Sequence, residues 1–134
     1  MSRPMELMRE AKTIAVVGVS TQRPRPANDI AEYLIGAGFE VYLVNELEAG
    51  QSLFGKVINP SVVSLPVPVD IVDIFRRPAD VPPHVEDAIA ASAKVVWMQM
   101  GIVNEEAAER AREAGLEVVM DRCTMVEHRK LRRG

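Results

Sequence analysis

Five arginines, Arg23, Arg25, Arg76, Arg77 and Arg122, stand just after short apolar runs of the chain. A guanidinium presents fixed planar donors that match phosphate oxygens. Any one of the five would serve equally as a surface ion-pair partner. As a group, beside the small-residue turn Gly18-Val19-Ser20, they point to a polyanionic ligand. The turn is not a dinucleotide fingerprint: in Gly-x-Gly-x-x-Gly register the second position is Ser20 and the third is Arg23. Gly18 still permits a close backbone approach, and Ser20 adds a hydroxyl donor. A helix opening at Pro26 would offer unpaired amides to a phosphate. No Gly-Lys-Ser/Thr follows a glycine-rich run, which excludes a Walker-type phosphate loop.

Groups suited to catalysis are few. Cys123 lies between Arg122 and a helix opening at Thr124, neighbours that favour a thiolate. An inert, half-buried thiol is the plainer reading. His84 follows two prolines and has no acid or nucleophile near it in sequence. His128 stands five residues from Cys123, and a solvated or core-contacting imidazole fits it better than a Cys–His pair. Asp70 and Asp73, three apart on one strand, point to opposite faces and make no paired-carboxylate site. One cysteine forms no internal disulfide, which fits a reducing cytosol, and no Cys/His spacing suits zinc. These residues assemble no catalytic set and no metal site, so the chain reads as a binding protein and not as an enzyme.

The whole chain sets bounds on the ligand. Its 134 residues suit one compact domain spanning 1–134, and 48% hydrophobic with 26% charged residues is ordinary for a globular protein. A net charge of −3 gives no general attraction to nucleic acid or anionic membrane, so a local cluster of donors must hold any anion. No apolar run approaches the ~20 residues that span a bilayer. The opening MSRPMELMREAK lacks the apolar core of a signal peptide. The expectation is a cytoplasmic protein.

The elements that must position the arginines alternate in a βαβα rhythm. Strands are predicted over 13–19, 40–44, 69–75, 94–99 and 117–120, the first nearly all apolar, as a central parallel strand should be. Helices are predicted over 26–37, from Pro82-Pro83 through 85–91, from the cap Asn104 to 114, and over 124–133. In the last, Thr124 and Glu127 match a capping box, and the basic run HRKLRR reads as a solvated helix end and not a nucleic-acid patch. Residues 45–68 read as loop with a short helical turn near 61–65. The expected fold is α/β: a Rossmann-like, three-layer domain with a five-stranded parallel sheet. Ligands of such sheets lie beyond the carboxyl ends of the strands.

Several segments carry a resemblance: IAVVGVS at 14–20, RPAND at 25–29, GFEVYLVN at 38–45, VDIVDIFRRP at 69–78, VVWMQMGI at 95–102, EAGLEVVMDRC at 113–123 and MVEH at 125–128. Together they resemble the small single-domain CoA-binding proteins, which are related to the N-terminal domain of the succinyl-CoA synthetase α subunit. The resemblance implies coenzyme A, or an acyl-CoA, held across the strand ends. It implies that Gly18, Val19 and Ser20 contact the pyrophosphate region, with Arg25 near the phosphates. Asn45 would sit beside the adenosine, and Phe75, Arg76 and Arg77 would border the adenine and phosphates. Gln99 and Gly101 would line the path of the pantetheine arm, and Cys123 would lie near the CoA sulfur, with which it could exchange disulfides.

The synthetase's phosphorylated histidine belongs to another domain, for which this chain has no room, so its activity does not transfer. One position departs from the family pattern. Glu46 stands where a proline usually follows the asparagine of strand two. Glu46 is expected to face solvent; turned inward it would grip a ribose as NAD-binding domains do and would repel a 3′-phosphate. The leading expectation is a non-catalytic CoA-binding module that acts as sensor, carrier or partner subunit. The alternative is an NAD-binding or acyl-CoA ligase-type enzyme subunit that needs another chain. No nucleic acid and no membrane are expected as partners, and the protein partner is open.

Overall fold

The computed structural model describes residues 1–22 and 24–133. In chain order the elements are α1 (Arg3–Glu10), β1 (Thr13–Val17), α2 (Pro26–Gly36), β2 (Glu40–Val44), β3 (Ser52–Leu53), β4 (Lys56–Val57), β5 (Ile71–Ile74), α3 (Pro82–Ala90), β6 (Val95–Met98), α4 (Glu105–Glu113), β7 (Glu117–Val119) and α5 (Thr124–Arg133). Three single 3-10 turns lie at Glu46–Glu48, Val62–Ser64 and Pro78–Asp80.

The apolar, β-branched runs build one parallel sheet in the order β2-β1-β5-β6-β7. Val16 stands in register with Leu43 on one side and Asp73 on the other, and Asp73 with Trp97. Because side chains alternate along each strand, that row faces one way, with Ile14 and Ile71, against Leu7, Met8, Ala27, Ile30 and Leu34 of α1 and α2. Ala15, Val17, Val72, Ile74, Val96 and Met98 face the other way, against Val85, Ala88, Ala107, Ala108 and Ala111 of α3 and α4. Both faces are covered, which is why the central strands carry no polar alternation. Each large side chain removed from water there contributes about 1.5–3 kcal/mol. Among the described residues, no helix is long and apolar enough to cross a membrane.

The parallel sheet and its helices match the expected α/β architecture. Strand order reverses between β1 and β5, since the chain leaves β1 for β2 on one side and later returns to β5 on the other. That opens a crevice above their carboxyl ends.

Three local features differ from the sequence expectations. Residues Arg3–Glu10 form a helix, capped by Ser2, that was not foreseen; it buries Leu7 and Met8 and is pinned by Arg3 to Glu117 of β7. Within the stretch read as loop, β3 and β4 pair through a Phe54-Gly55 turn, whose positive φ values of 54° and 74° are those of a type I′ hairpin. The capping box at the start of α5 does not form. Thr124 is the first helical residue, its hydroxyl is turned into the core, and the Glu127 carboxylate accepts from Lys130 instead.

Candidate functional site

Above the crevice lies a cleft of about 970 Å³. The turn after β1 and the start of α2 supply Gly18, Pro24, Arg25, Pro26, Ala27 and Ile30. The β5 end supplies Phe75, Arg76, Arg77 and Asp80, the β6 end Gln99, Met100 and Ile102, and the start of α5 Cys123 and Val126. Seven residues singled out in the sequence thus converge here: Gly18, Arg25, Phe75, Arg76, Arg77, Gln99 and Cys123. The apolar wall of Ile30, Met100, Ile102 and Val126 was missed. Its signal was present, since each of these residues lies within a few positions of a strand end or on the helix that covers it.

The three remaining residues of the first turn and second strand end are not on the cleft wall. Val19 is fully buried in the core beside α2. Ser20 is buried too; its carbonyl accepts from the Asn28 amide at 2.8 Å, and its hydroxyl accepts from the Gln22 N–H at 3.1 Å. Asn45 is buried and braces the turn, donating to the Val19 carbonyl at 2.8 Å and accepting from the Leu47 N–H at 2.9 Å. Glu48 completes the brace, accepting from the Thr21 N–H and hydroxyl at 2.7 Å each. Hydrogen bonds from Ser20 and Thr21 hold its carboxyl below the usual range, against the opposing effect of burial. Gly101 is likewise outside the wall. Its N–H donates to Asp121 at 2.6 Å, and its φ of 84° turns the chain between Met100 and Ile102, which do face the cleft.

Gly18 lines the cleft, yet its missing side chain serves the fold. Its φ is 111°, and a Cβ there would overlap the carbonyl oxygen of Phe75. The close approach that the glycine permits is between β1 and β5 themselves.

The arginines separate. Arg76 is enclosed, with a side chain 14% exposed, and its Nη2 has no hydrogen-bond partner among the described residues. Glu46 Oε2 lies 3.5 Å from that nitrogen, so Glu46 is turned toward the arginine while remaining 52% exposed. Arg77 is 87% exposed and tied to Asp80 at 3.0 Å. Arg25 reaches the Gly18 carbonyl at 3.5 Å. Arg122 is exposed and absent from the wall; its carbonyl accepts from the Trp97 indole at 2.8 Å. Arg23 lies outside the described residues.

At the cleft floor Gln99 is 4% exposed, and its Oε1 accepts from the Thr124 N–H at 3.0 Å. The Thr124 hydroxyl stands 2.9 Å from Asp73 Oδ2 and 3.2 Å from the same Gln99 oxygen. One hydroxyl proton serves one acceptor, so an ionised Asp73 would leave a contact between two acceptors. A protonated Asp73 resolves it: the acid donates to Thr124, and Thr124 donates to Gln99. Burial pushes the Asp73 carboxyl well above its ordinary range, a shift that the Thr124 hydrogen bond only partly opposes. Asp70, at the amino end of the same strand, accepts from the Lys12 and Thr13 amides and pairs with Lys94.

Cys123 is 7% exposed on the cleft wall. His128 points elsewhere, with its Nδ1 2.8 Å from the Tyr33 hydroxyl and its ring edge-on to Tyr33 and Phe39. Burial, then the nearby Arg132 charge, hold its pKa below the usual imidazole value. The Cys–His pairing weighed in the sequence is therefore not made. Burial and the adjacent Arg76 lower His84 in the same way. The cleft combines cationic donors, an apolar wall and a thiol. Among the described residues, no group of three or more His, Cys, Asp or Glu side chains is placed to hold a metal ion.

Comparison with known proteins gives the site a context. A protein-family model described as a CoA binding domain matches residues 12–129. The chain is 36% identical over 123 residues to the Bacillus subtilis (strain 168) protein YneT, covering 92% of this chain and 90% of that protein. The structure of a hypothetical protein from Pyrococcus horikoshii OT3 superposes with a TM-score of 0.88 at 40% identity, over 96% of this chain and 89% of that one. A dinucleotide-forming acetyl-coenzyme A synthetase from Ca. Korarchaeum cryptofilum superposes with a TM-score of 0.71 at 25% identity, over 82% of this chain but only 26% of the synthetase.

Proposed function

The chain belongs to the family of CoA-binding domains, and from that premise we propose that its cleft binds coenzyme A or an acyl-CoA without transforming it. The observation that carries this reading is Arg76: an enclosed guanidinium on the cleft wall with a terminal nitrogen that makes no hydrogen bond among the described residues. A buried donor left unused costs free energy until an oxyanion meets it. Arg25, also on the wall, lies at the start of α2, a helix with no side-chain cap of its own, which adds amide donors to the same anion site. The wall of Ile30, Met100, Ile102 and Val126 suits the long, weakly polar pantetheine arm and an acyl chain beyond it. Cys123 on the same wall leaves a thiol–disulfide exchange with the coenzyme open to this chain.

The non-catalytic part rests on what these residues can do. The imidazole of His128 is engaged with Tyr33, and Asp73 is fully buried with its carboxyl against the Thr124 hydroxyl. A sensor, carrier or partner subunit is the role that remains, and a reducing, cytoplasmic setting would keep the thiols of protein and ligand free. The likeness to one quarter of an acetyl-coenzyme A synthetase favours a second reading, a detached ligand-binding subunit that works with another chain.

Thermal unfolding with added ligand tests the proposal. Coenzyme A at about 100 times its dissociation constant should stabilise the chain by about 2.7 kcal/mol, while NAD leaves the melting temperature where it was. Acetyl-CoA recovered after the scan should be intact. A chain stabilised by NAD and indifferent to coenzyme A would refute the reading.

A further inference from the structure

We infer that Glu46 is a specificity-determining residue: by holding Arg76, it sets how strongly the cleft accepts a phosphate on the ribose of a bound nucleotide. The inference rests on the coenzyme A reading above and concerns one end of that ligand. Its basis is the unequal state of the two partners. The Arg76 side chain is enclosed and its Nη2 lacks a hydrogen bond, while the Glu46 side chain is half exposed and stands 3.5 Å away. At that separation the pair has charge attraction without a well-formed hydrogen bond. Glu46 can return to water at little cost. Arg76 cannot, so the arginine is the member that gains from an incoming oxyanion.

Their place in the sheet says which oxyanion. Glu46 follows the end of β2 and opens the 3-10 turn whose cap is Asn45. In doubly wound sheets an acid at this point accepts hydrogen bonds from the ribose hydroxyls of a nucleotide, and an arginine nearby takes a ribose phosphate instead. This chain carries one of each and sets them against one another. A free ribose diol suits the carboxylate; a phosphorylated ribose suits the guanidinium and is repelled by the carboxylate. Arg77 does not share the task, since it is exposed and bonded to Asp80. Glu46 thus weakens binding of a nucleotide that carries a 3′-phosphate and narrows its advantage over the dephosphorylated form.

Titration calorimetry with coenzyme A and dephospho-CoA tests this on the wild-type chain and on Glu46→Gln and Glu46→Pro. The proline variant is sterically allowed: Asn45 is extended at φ −163° and ψ 114°, as a residue before proline must be, and position 46 is the first of its turn. Both variants should bind coenzyme A about fivefold more tightly, the upper range for a partly exposed charge pair, with dephospho-CoA unchanged or weakened. Unchanged or weaker coenzyme A binding in both variants overturns the inference, as does an equal gain for the two ligands. A wild-type chain that binds neither ligand overturns the coenzyme A reading and this inference with it. A wild-type chain that binds coenzyme A, with variants that bind it no better, overturns the role of Glu46 alone.

Discussion

The two sides of the cleft treat their polar groups in opposite ways. On the β1 side, the turn from Gly18 to Gln22 is braced by the protein: Asn28 holds both backbone groups of Ser20, Asn45 holds the Val19 carbonyl, and Glu48 holds Thr21. On the β5 and β6 side, Arg76 has a nitrogen without a hydrogen bond among the described residues, and Gln99 stands on the wall above a buried acid. A small-residue turn looks like the part that grips a phosphate. Here it is the rigid frame, and the donors available to a ligand are Arg76 across from it and Arg25 with the first amides of α2 beyond it. What a polar residue can offer a ligand depends on what its own protein has already taken.

The sharpest way to break that contrast is at Gly18. A Cβ would collide with the Phe75 carbonyl, and the φ of 111° disfavours any side chain. Gly18→Ala should therefore destabilise the fold by roughly 3–5 kcal/mol, the range of a strained backbone combined with a core clash. Urea unfolding of the purified variant measures this. A loss below about 1 kcal/mol would mean that the turn is adaptable and its rigidity overstated. The next largest effect belongs to the other side. Arg76→Ala should weaken coenzyme A by about 30-fold or more, because it removes an enclosed charged donor. Arg77→Ala should cost less than about threefold, since Arg77 is exposed and already paired. Equal losses for the two would erase the distinction between an available and an occupied guanidinium.

That distinction marks where sequence reasoning stops. The sheet was legible because Thr13–Val17, Ile71–Ile74 and Val95–Met98 are short apolar runs, and α4 because Asn104 and the carboxylates after it announce a helix start. Adjacent Arg76 and Arg77 look identical in a sequence; successive residues leaving a strand point apart, and only packing says which is enclosed. The helix Arg3–Glu10 escaped notice because it is short and half charged, and two of its supports, contact with α5 and the Arg3–Glu117 pair, are tertiary. Thr124 matched a helix cap by local pattern, but a carboxylate 51 residues away competes for its hydroxyl. In these three cases a long-range contact decides what the local pattern leaves open.

A last predicted effect follows from that same contact and concerns pH. Asp73 is protonated in the folded chain over a range in which the unfolded chain ionises it, since burial raises its folded pKa well above 3.8. The folded state therefore holds a proton that the unfolded state releases. Stability from this group is complete below about pH 3.8 and is lost progressively as pH rises toward the folded value. Asp73→Asn keeps the shape and supplies a neutral donor to Thr124, so it should remove this dependence. Wild type and variant should melt together near pH 4, with the variant increasingly the more stable as pH rises through the folded value of Asp73. Parallel curves at a constant offset would mean that Asp73 is ionised in the fold, and that Thr124 donates to it rather than to Gln99. In that case Gln99 would lose a hydrogen bond at the cleft floor, and the contrast between the braced β1 side and the open β5 side would be wider still.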